Sequence, residues 1–474
     1  MPQHPLAAFG RDYLAIPGPS VMPDRVLRAM HRSAPNIYHG ALIEMVEGIV
    51  PDLKRVARTK QHVAMYIGNG HATWEACLSN TVMAGEKVLV PATGRFGLGW
   101  ADVAVGLGID AEVMDFGKSS AIDPVRVAER LAADKAHQIK AVLAVHVDTS
   151  TSFKNDIAAL RAVLDDLDHP ALLMADCMAS LGCDPFEMDE WGVDVVIAGS
   201  QKGMMVPPGM CFVFFSDKAA EARARMDRVS RYWDWTPRAH PTAFFEYWNG
   251  TAPTHHLYGL RAALDMIHDE GIENVWRRHH LLARAVWAAV EAWGADGPMK
   301  MNVPDPAQRG HSVTAIGLGA PNATKLRNWT EENLGLTLGI GLGMAETSDP
   351  AWHGYFRLGH MGHVSGHMVM GMLGGIDSGL KALDLPHGNG ALEAASKVIA
   401  AGSHVIQRFR DQPRAATASR PHNAHSSRNT QDRLTPNITM QALVKLGADC
   451  VGWLFMAGIS GGYACYHSAE TSGA

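Results

Sequence analysis

A chain of 474 residues, 47% of them hydrophobic, is long enough to bury more than one core and excludes a single small domain. A net charge of −6 excludes a general basic face for nucleic acid. The six cysteines form no CxxC pair, which excludes a zinc ribbon and fits reduced thiols. Residues 1–9 carry neither the basic nor the apolar region of a signal peptide, and the last residues, TSGA, are no peroxisomal address. A cytoplasmic location is expected.

Residues 1–22 are rich in proline and close on IPGPS at 16–20. They read as an irregular N-terminal arm, neither helix nor central strand. Helical patterns follow at about 23–32 and 41–58, joined through Tyr38-His39-Gly40. VAMYI at 63–67 is a short strand, GNG at 68–70 a turn, and a helix begins at His71. That outline leaves backbone N–H groups and a helix dipole for an anion such as phosphate; an ordinary βα connection has the same outline. Strands are expected at 87–91 and 111–116. Phe96, just past the first, can lie flat on a planar ring or simply fill core. Asp123-Pro124 starts a helix. An apolar strand from about 140 then runs into the polar DTST of 148–151, and Asn155 or Asp156 caps a helix to about 167.

Two later stretches carry the chemistry. VDVVIAGSQKG at 193–203 opens as a buried strand and breaks just before Lys202. A lysine at such a mouth is costly to desolvate, which lowers its pKa and suits Schiff-base chemistry; a surface lysine at a strand end is the plain alternative. PALLMADCMAS at 170–180 is a second buried strand, and it ends in the carboxylate of Asp176. In one parallel sheet both residues reach the edge where open α/β sheets bind ligands. A pyridoxal phosphate site needs this pair: the lysine forms the Schiff base, and the carboxylate keeps the pyridine nitrogen protonated.

At these residues the sequence resembles the class V aminotransferases of fold type I, and most closely their alanine–glyoxylate and serine–glyoxylate group, from about residue 16 to about 401. The resemblance implies an α/β fold. A large domain at 23–280 holds a mostly parallel seven-stranded sheet, with 211–215 as its antiparallel closing strand, and a smaller C-terminal α+β domain covers 281–402. It implies pyridoxal 5'-phosphate as cofactor, with Lys202 and Asp176 as the catalytic pair. Gly70 and His71 match the phosphate turn and Phe96 the aromatic over the ring, while Thr149, Met178 and Gln201 match further cofactor contacts. The family loop after Thr149 has a small glycine; here it reads TSF at 151–153. RYWDW at 231–235 resembles the family's Phe-Asp-Trp segment. Trp248 and Thr251 fall in the segment that reaches the partner's cofactor phosphate in a homodimer with composite sites, and Trp248 replaces the family's tyrosine. The resemblance also lays the arm over the partner subunit and brings Tyr38 near the substrate.

Helical patterns at about 255–270 and 273–293 lead into the smaller domain, which opens with a strand at 311–316. GIGLG at 339–343 lacks the third glycine and the acidic residue of a dinucleotide loop and reads as a turn. In YFRLGHMGH at 355–363, Arg357 matches the family's Arg-x-Gly motif. A planar, permanently charged guanidinium suits a two-bond grip on a substrate carboxylate. His360, His363 and His367 have a metal-like spacing, but no acidic or cysteine ligand is near and no metal is expected. Helices are expected at about 363–382 and 390–402. In the tail at 403–474, residues 412–438 read as a linker, and the uncharged 450–466 is too short for a membrane span. No membrane association is expected.

The implied activity is transfer of an amino group from serine or alanine to glyoxylate or pyruvate. A cysteine desulfurase needs a cysteine well past the lysine, and none lies between Cys211 and Cys450. A pyridoxamine–pyruvate aminotransferase of the same fold stays open. A non-catalytic cofactor-binding protein predicts loss of the lysine or the carboxylate, and both are present.

Overall fold

The computed structural model describes residues 6–410. The readings for 412–438 and 450–466 lie outside the described residues. In chain order the strands are β1 Tyr13–Ala15, β2 His62–Gly68, β3 Lys87–Ala92, β4 Asp110–Asp115, β5 Ile139–Val145, β6 Leu172–Asp176, β7 Val195–Gly199, β8 Gly209–Phe215, β9 Lys300–Met301, β10 Val313–Gly317, β11 Leu336–Ile340 and β12 Tyr355–Gly359.

Seven of them form one sheet in the order β2-β8-β7-β6-β5-β3-β4. The pairs from β7 to β4 are parallel, and β8 runs antiparallel to both β7 and β2. The strand expected to close the sheet is therefore internal, with β2 outside it. The physical reason is composition: Phe212 and Phe214 face one side of β8, Cys211, Val213 and Phe215 the other, and all are buried. An edge position would leave such a strand open to pairing with another chain. Alternation sends Leu173, Ala175, Val196 and Ala198 into one core and Leu172, Met174, Val195 and Ile197 into the core on the opposite face. Helices cover both faces, as a parallel sheet requires.

A second sheet has the order β1-β11-β12-β10-β9. Its edge strand β1 comes from the N-terminal arm and lies parallel to β11, Tyr13 opposite Leu336. The arm is thus irregular only in part: Tyr13–Ala15 is free of proline and can pair. The helix Ile272–Gly294 carries the chain from one core to the other. Its Ile272, Val275 and Trp276 pack with the large sheet, and its Leu282, Val286, Val290 and Trp293 pack with the small one. The last helix runs Ala391–Arg410, eight residues past the expected end near 402.

Candidate active site

Parallel pairing decides the centre of the site. In the β6–β7 register Asp176 stands beside Ile197, so the loop after Gly199 brings Lys202 to the same sheet edge. Asp176 is 2% exposed. Its Oδ1 accepts the Met178 backbone N–H at 2.7 Å and its Oδ2 the Trp74 indole N–H at 2.8 Å. Burial pushes its carboxyl up to about 6, against the pull of those two donors and of Lys202. Desolvation, with the Arg357 charge acting the same way, brings the Lys202 amine down to about 8. A free fraction of neutral amine near neutral pH is what an attacking lysine needs.

The arm passes over this lysine. Lys202 Nζ donates to the Pro17 carbonyl, Ser20 Oγ donates to the Lys202 carbonyl at 2.7 Å, and Ser20 N–H to the Gln201 carbonyl at 2.8 Å. Gly18 has φ +93°, and any Cβ there would overlap the lysine side chain. Residues 16–20, expected over a partner, lie against this chain's own Lys202.

Arg357 sits on β12, 6% exposed. Its Nε donates to the Ile340 carbonyl at 2.7 Å and its Nη1 to the Thr149 carbonyl at 2.9 Å. Burial lowers its pKa to about 10, so it remains charged at neutral pH. The β5 loop that supplies Thr149 is fixed by Asp148, which accepts the Phe96 N–H at 3.1 Å and the Ser150 N–H at 2.8 Å. Ser152, in the loop that follows, adopts φ +69°. Its hydroxyl compensates by accepting the Ala315 N–H of β10 at 2.7 Å.

The helix Gly70–Thr81 starts where a phosphate turn was expected, and Asn69 Oδ1 accepts the His71 and Ala72 N–H groups at 3.1 and 3.4 Å. The RYWDW segment backs this helix through Trp233, whose indole donates to Glu75 at 3.0 Å. Met178 fills the space between two glycines: a Cβ on Gly70 would meet its Cε at 2.9 Å, and one on Gly199 its Sδ at 2.5 Å. The buried Gln201 Oε1 has no hydrogen-bond partner among the described residues, a polar atom left for a ligand.

One group therefore gathers Gly70, His71, Phe96, Thr149, Asp176, Met178, Gln201, Lys202 and Arg357. Among the described residues, Tyr38, Trp248 and Thr251 stand apart, sharing no hydrogen bond or ring contact with that group. Tyr38 is 84% exposed, and Trp248 is buried in the core with its indole N–H unpartnered among the described residues. The residues present fit pyridoxal 5'-phosphate: an amine of lowered pKa, a carboxylate with spare lone pairs, a glycine-lined floor and a helix start. Sequence reasoning passed over Trp74 and Asp148. Trp74 follows His71 by three residues and so shares its helix face, a signal that was available.

The comparisons agree with this geometry. The sequence model of the Aminotransferase class-V family matches residues 13–348. The serine–glyoxylate aminotransferase of Methylorubrum extorquens is 37% identical over 401 residues, 82% of this chain and 96% of that one. The L-aspartate–glyoxylate aminotransferase of Paracoccus denitrificans is 35% identical over 398 residues, 83% of this chain and 96% of that one. Among solved structures, the ureidoglycine–glyoxylate aminotransferase of Bacillus subtilis superposes with a TM-score of 0.73 at 24% identity, covering 82% of this chain and 98% of that one. The pyridoxamine–pyruvate aminotransferase of Mesorhizobium loti gives 0.74 at 23% identity, covering 83% and 98%. This chain belongs to the class-V aminotransferase family.

Proposed function

We propose that the protein moves an amino group from serine or alanine to glyoxylate or pyruvate, using pyridoxal 5'-phosphate, as a cytoplasmic homodimer with composite sites. The observation that carries this is the meeting of Lys202 and Asp176 at the mouths of two adjacent parallel strands, with Arg357 held on the same loop system. The similarity to serine–glyoxylate enzymes at 37% and 34% identity supports serine as donor and glyoxylate as acceptor. Among the described residues no helix is long and apolar enough to cross a membrane.

When bound, the cofactor supplies an electron sink for negative charge on the substrate α-carbon. Asp176 would accept a hydrogen bond from its ring nitrogen, and Phe96 and Met178 would flank the ring. Gly70 and His71 would hold the phosphate, with Gln201 and Thr149 beside it, and a second copy would add Trp248 and Thr251. The substrate carboxylate would meet the three N–H groups of Arg357 not engaged by the Ile340 and Thr149 carbonyls, two on Nη2 and one on Nη1. Lys202 Nζ would take the proton from the substrate α-carbon and hold it for return. Tyr38 belongs to the substrate entrance.

Steady-state assays with serine, alanine and aspartate as donors, and glyoxylate and pyruvate as acceptors, test the reading. Serine with glyoxylate is expected to give the highest kcat/KM, and Lys202→Ala no transamination above background. Wild-type turnover in Lys202→Ala would sink the assignment.

A further inference from the structure

Trp74 has no part in the function described so far. It is 2% exposed on the helix Gly70–Thr81. Its indole N–H reaches Asp176 Oδ2 at 2.8 Å, while the Met178 N–H holds Oδ1 at 2.7 Å. The two donors sit on different oxygens, so the carboxylate cannot rotate without breaking one bond. Each oxygen still keeps a lone pair for a further donor. The same indole lies edge-on to the His71 ring, centroids 4.6 Å apart, and edge-on to Phe96 at 6.3 Å. One side chain thus touches the phosphate turn, the ring-facing aromatic and the carboxylate.

We propose that Trp74 is the positioning residue of the cofactor site, its indole N–H fixing the rotamer and the charge of Asp176 so that Asp176 can accept a hydrogen bond from the protonated nitrogen of a bound pyridine ring. The proposal rests on the reading of Asp176 as the ring partner. Buried at 2% exposure, this carboxylate holds its charge only if it is hydrogen-bonded. Phenylalanine at 74 keeps the ring and removes the donor.

A simple packing role makes a different forecast, and Trp100 supplies the control. Trp100 is stacked on Trp74, centroids 6.3 Å apart and 16° between planes, and fully buried. Its Nε1 makes no bond to Asp176 and has only the Cys77 thiol as a neighbour, so Trp100→Phe deletes a similar volume and no hydrogen bond to the carboxylate.

The test is titration of the full-length apoprotein with pyridoxal 5'-phosphate, followed by absorbance, at several pH values. The set is wild type, Trp74→Phe, Trp100→Phe, Asp176→Ala and the Trp74→Phe/Asp176→Ala double variant. Trp74→Phe is expected to weaken cofactor binding about tenfold, the size of one hydrogen bond to a charged group. It should also move the acid limb of binding upward by about one pH unit. Trp100→Phe should change neither, and the double variant should bind no worse than Asp176→Ala alone. Affinity within about twofold of wild type in Trp74→Phe, an equal loss in Trp100→Phe, or a full further loss in the double variant overturns the positioning role. Wild-type cofactor affinity in Asp176→Ala instead overturns the site reading, and the proposal with it. Thermal melts of each variant separate loss of fold from loss of the bond.

Discussion

Arg357 shows how a single residue is prepared for its role. Its Nε and Nη1 bonds to Ile340 and Thr149 lock the guanidinium plane before any substrate arrives. A lysine there keeps the charge but can reproduce neither the plane nor a two-bond grip. Arg357→Lys is therefore expected to raise KM for donor and acceptor alike, since both present a carboxylate next to the reacting carbon. It should also lower kcat, because the α C–H bond loses its alignment. Losing one charge-assisted bond costs about 2 kcal/mol, or tens-fold in kcat/KM. Steady-state kinetics of both half-reactions check this; an effect confined to one of them assigns the carboxylate to another cation. Arg357, Lys202 and Asp176 were all legible in the sequence, because each sits in or beside a short motif whose backbone context is local. Trp74 was legible only as a neighbour of His71 on one helix face; its bond to Asp176 was not, because an aromatic at helical spacing reads as core until its partner is placed.

Between elements, the seam is a set of buried imidazoles. His146 follows β5 and bonds Ser180; the His311 N–H beside β10 bonds Asp184; His360 follows β12 and bridges the His311 carbonyl and Thr314 Oγ1, both at 2.9 Å. His279 and His280 of the helix Ile272–Gly294 face the same cluster: His279 accepts the Gly362 N–H, and His280 stacks on His311. Lys154, Arg278 and Arg284 are the nearby cations. Burial lowers His360 to about 4, against the bond to the His311 carbonyl, which favours the charged ring. The neutral ring fits because Nδ1 donates to a carbonyl and Nε2 accepts from a hydroxyl; a second proton reverses the latter bond and places a charge in a buried site. The unfolded state then binds more protons than the folded one from about pH 6.5 down to 4, so the stability due to His360 is complete above 6.5 and lost as pH falls through that window. The stability gap between wild type and His360→Asn should shrink by about 2 kcal/mol from pH 7.5 to 5. Denaturant melts at both pH values measure it; a pH-independent gap would mean that the ring is not held neutral. Comparing the variant with wild type cancels the buried carboxyls Asp148, Asp176 and Asp184, which burial shifts up and which therefore titrate with the opposite sign.

For the molecule as a whole, the residues that carry the site all precede Gly359, and the family match ends at 348. The resemblance read from the sequence ends at about 401, and the described chain does not stop there. The helix Ala391–Arg410 continues past that point and lies along the helix Ile272–Gly294. A chain ending after Pro413 is expected to keep the kcat/KM, cofactor content and melting temperature of the full chain. A chain ending after Ala401 should melt several degrees lower, because it severs that helix. Size-exclusion chromatography, melts and assays of the two truncations decide it; loss of activity in the longer one would make the remaining tail part of the working enzyme.

The sequence by itself determined the α/β class and the meeting of Lys202 with Asp176. Continuous apolar runs set the buried strands, and the polar end of each run placed Lys202 and Asp176 at their carboxyl ends, where parallel pairing must bring them together. Those signals are local in the chain, so they survive without a structure. The tertiary structure alone decided what touches them. Trp74 meets Asp176 across 102 residues, Pro17 meets Lys202 across 185, and Arg357 meets Thr149 across 208. It also decided that β8 is internal and that β1 joins the small sheet. Contacts at such separations leave no periodicity in the sequence; they follow from how two cores and an arm pack, which no short stretch of residues encodes.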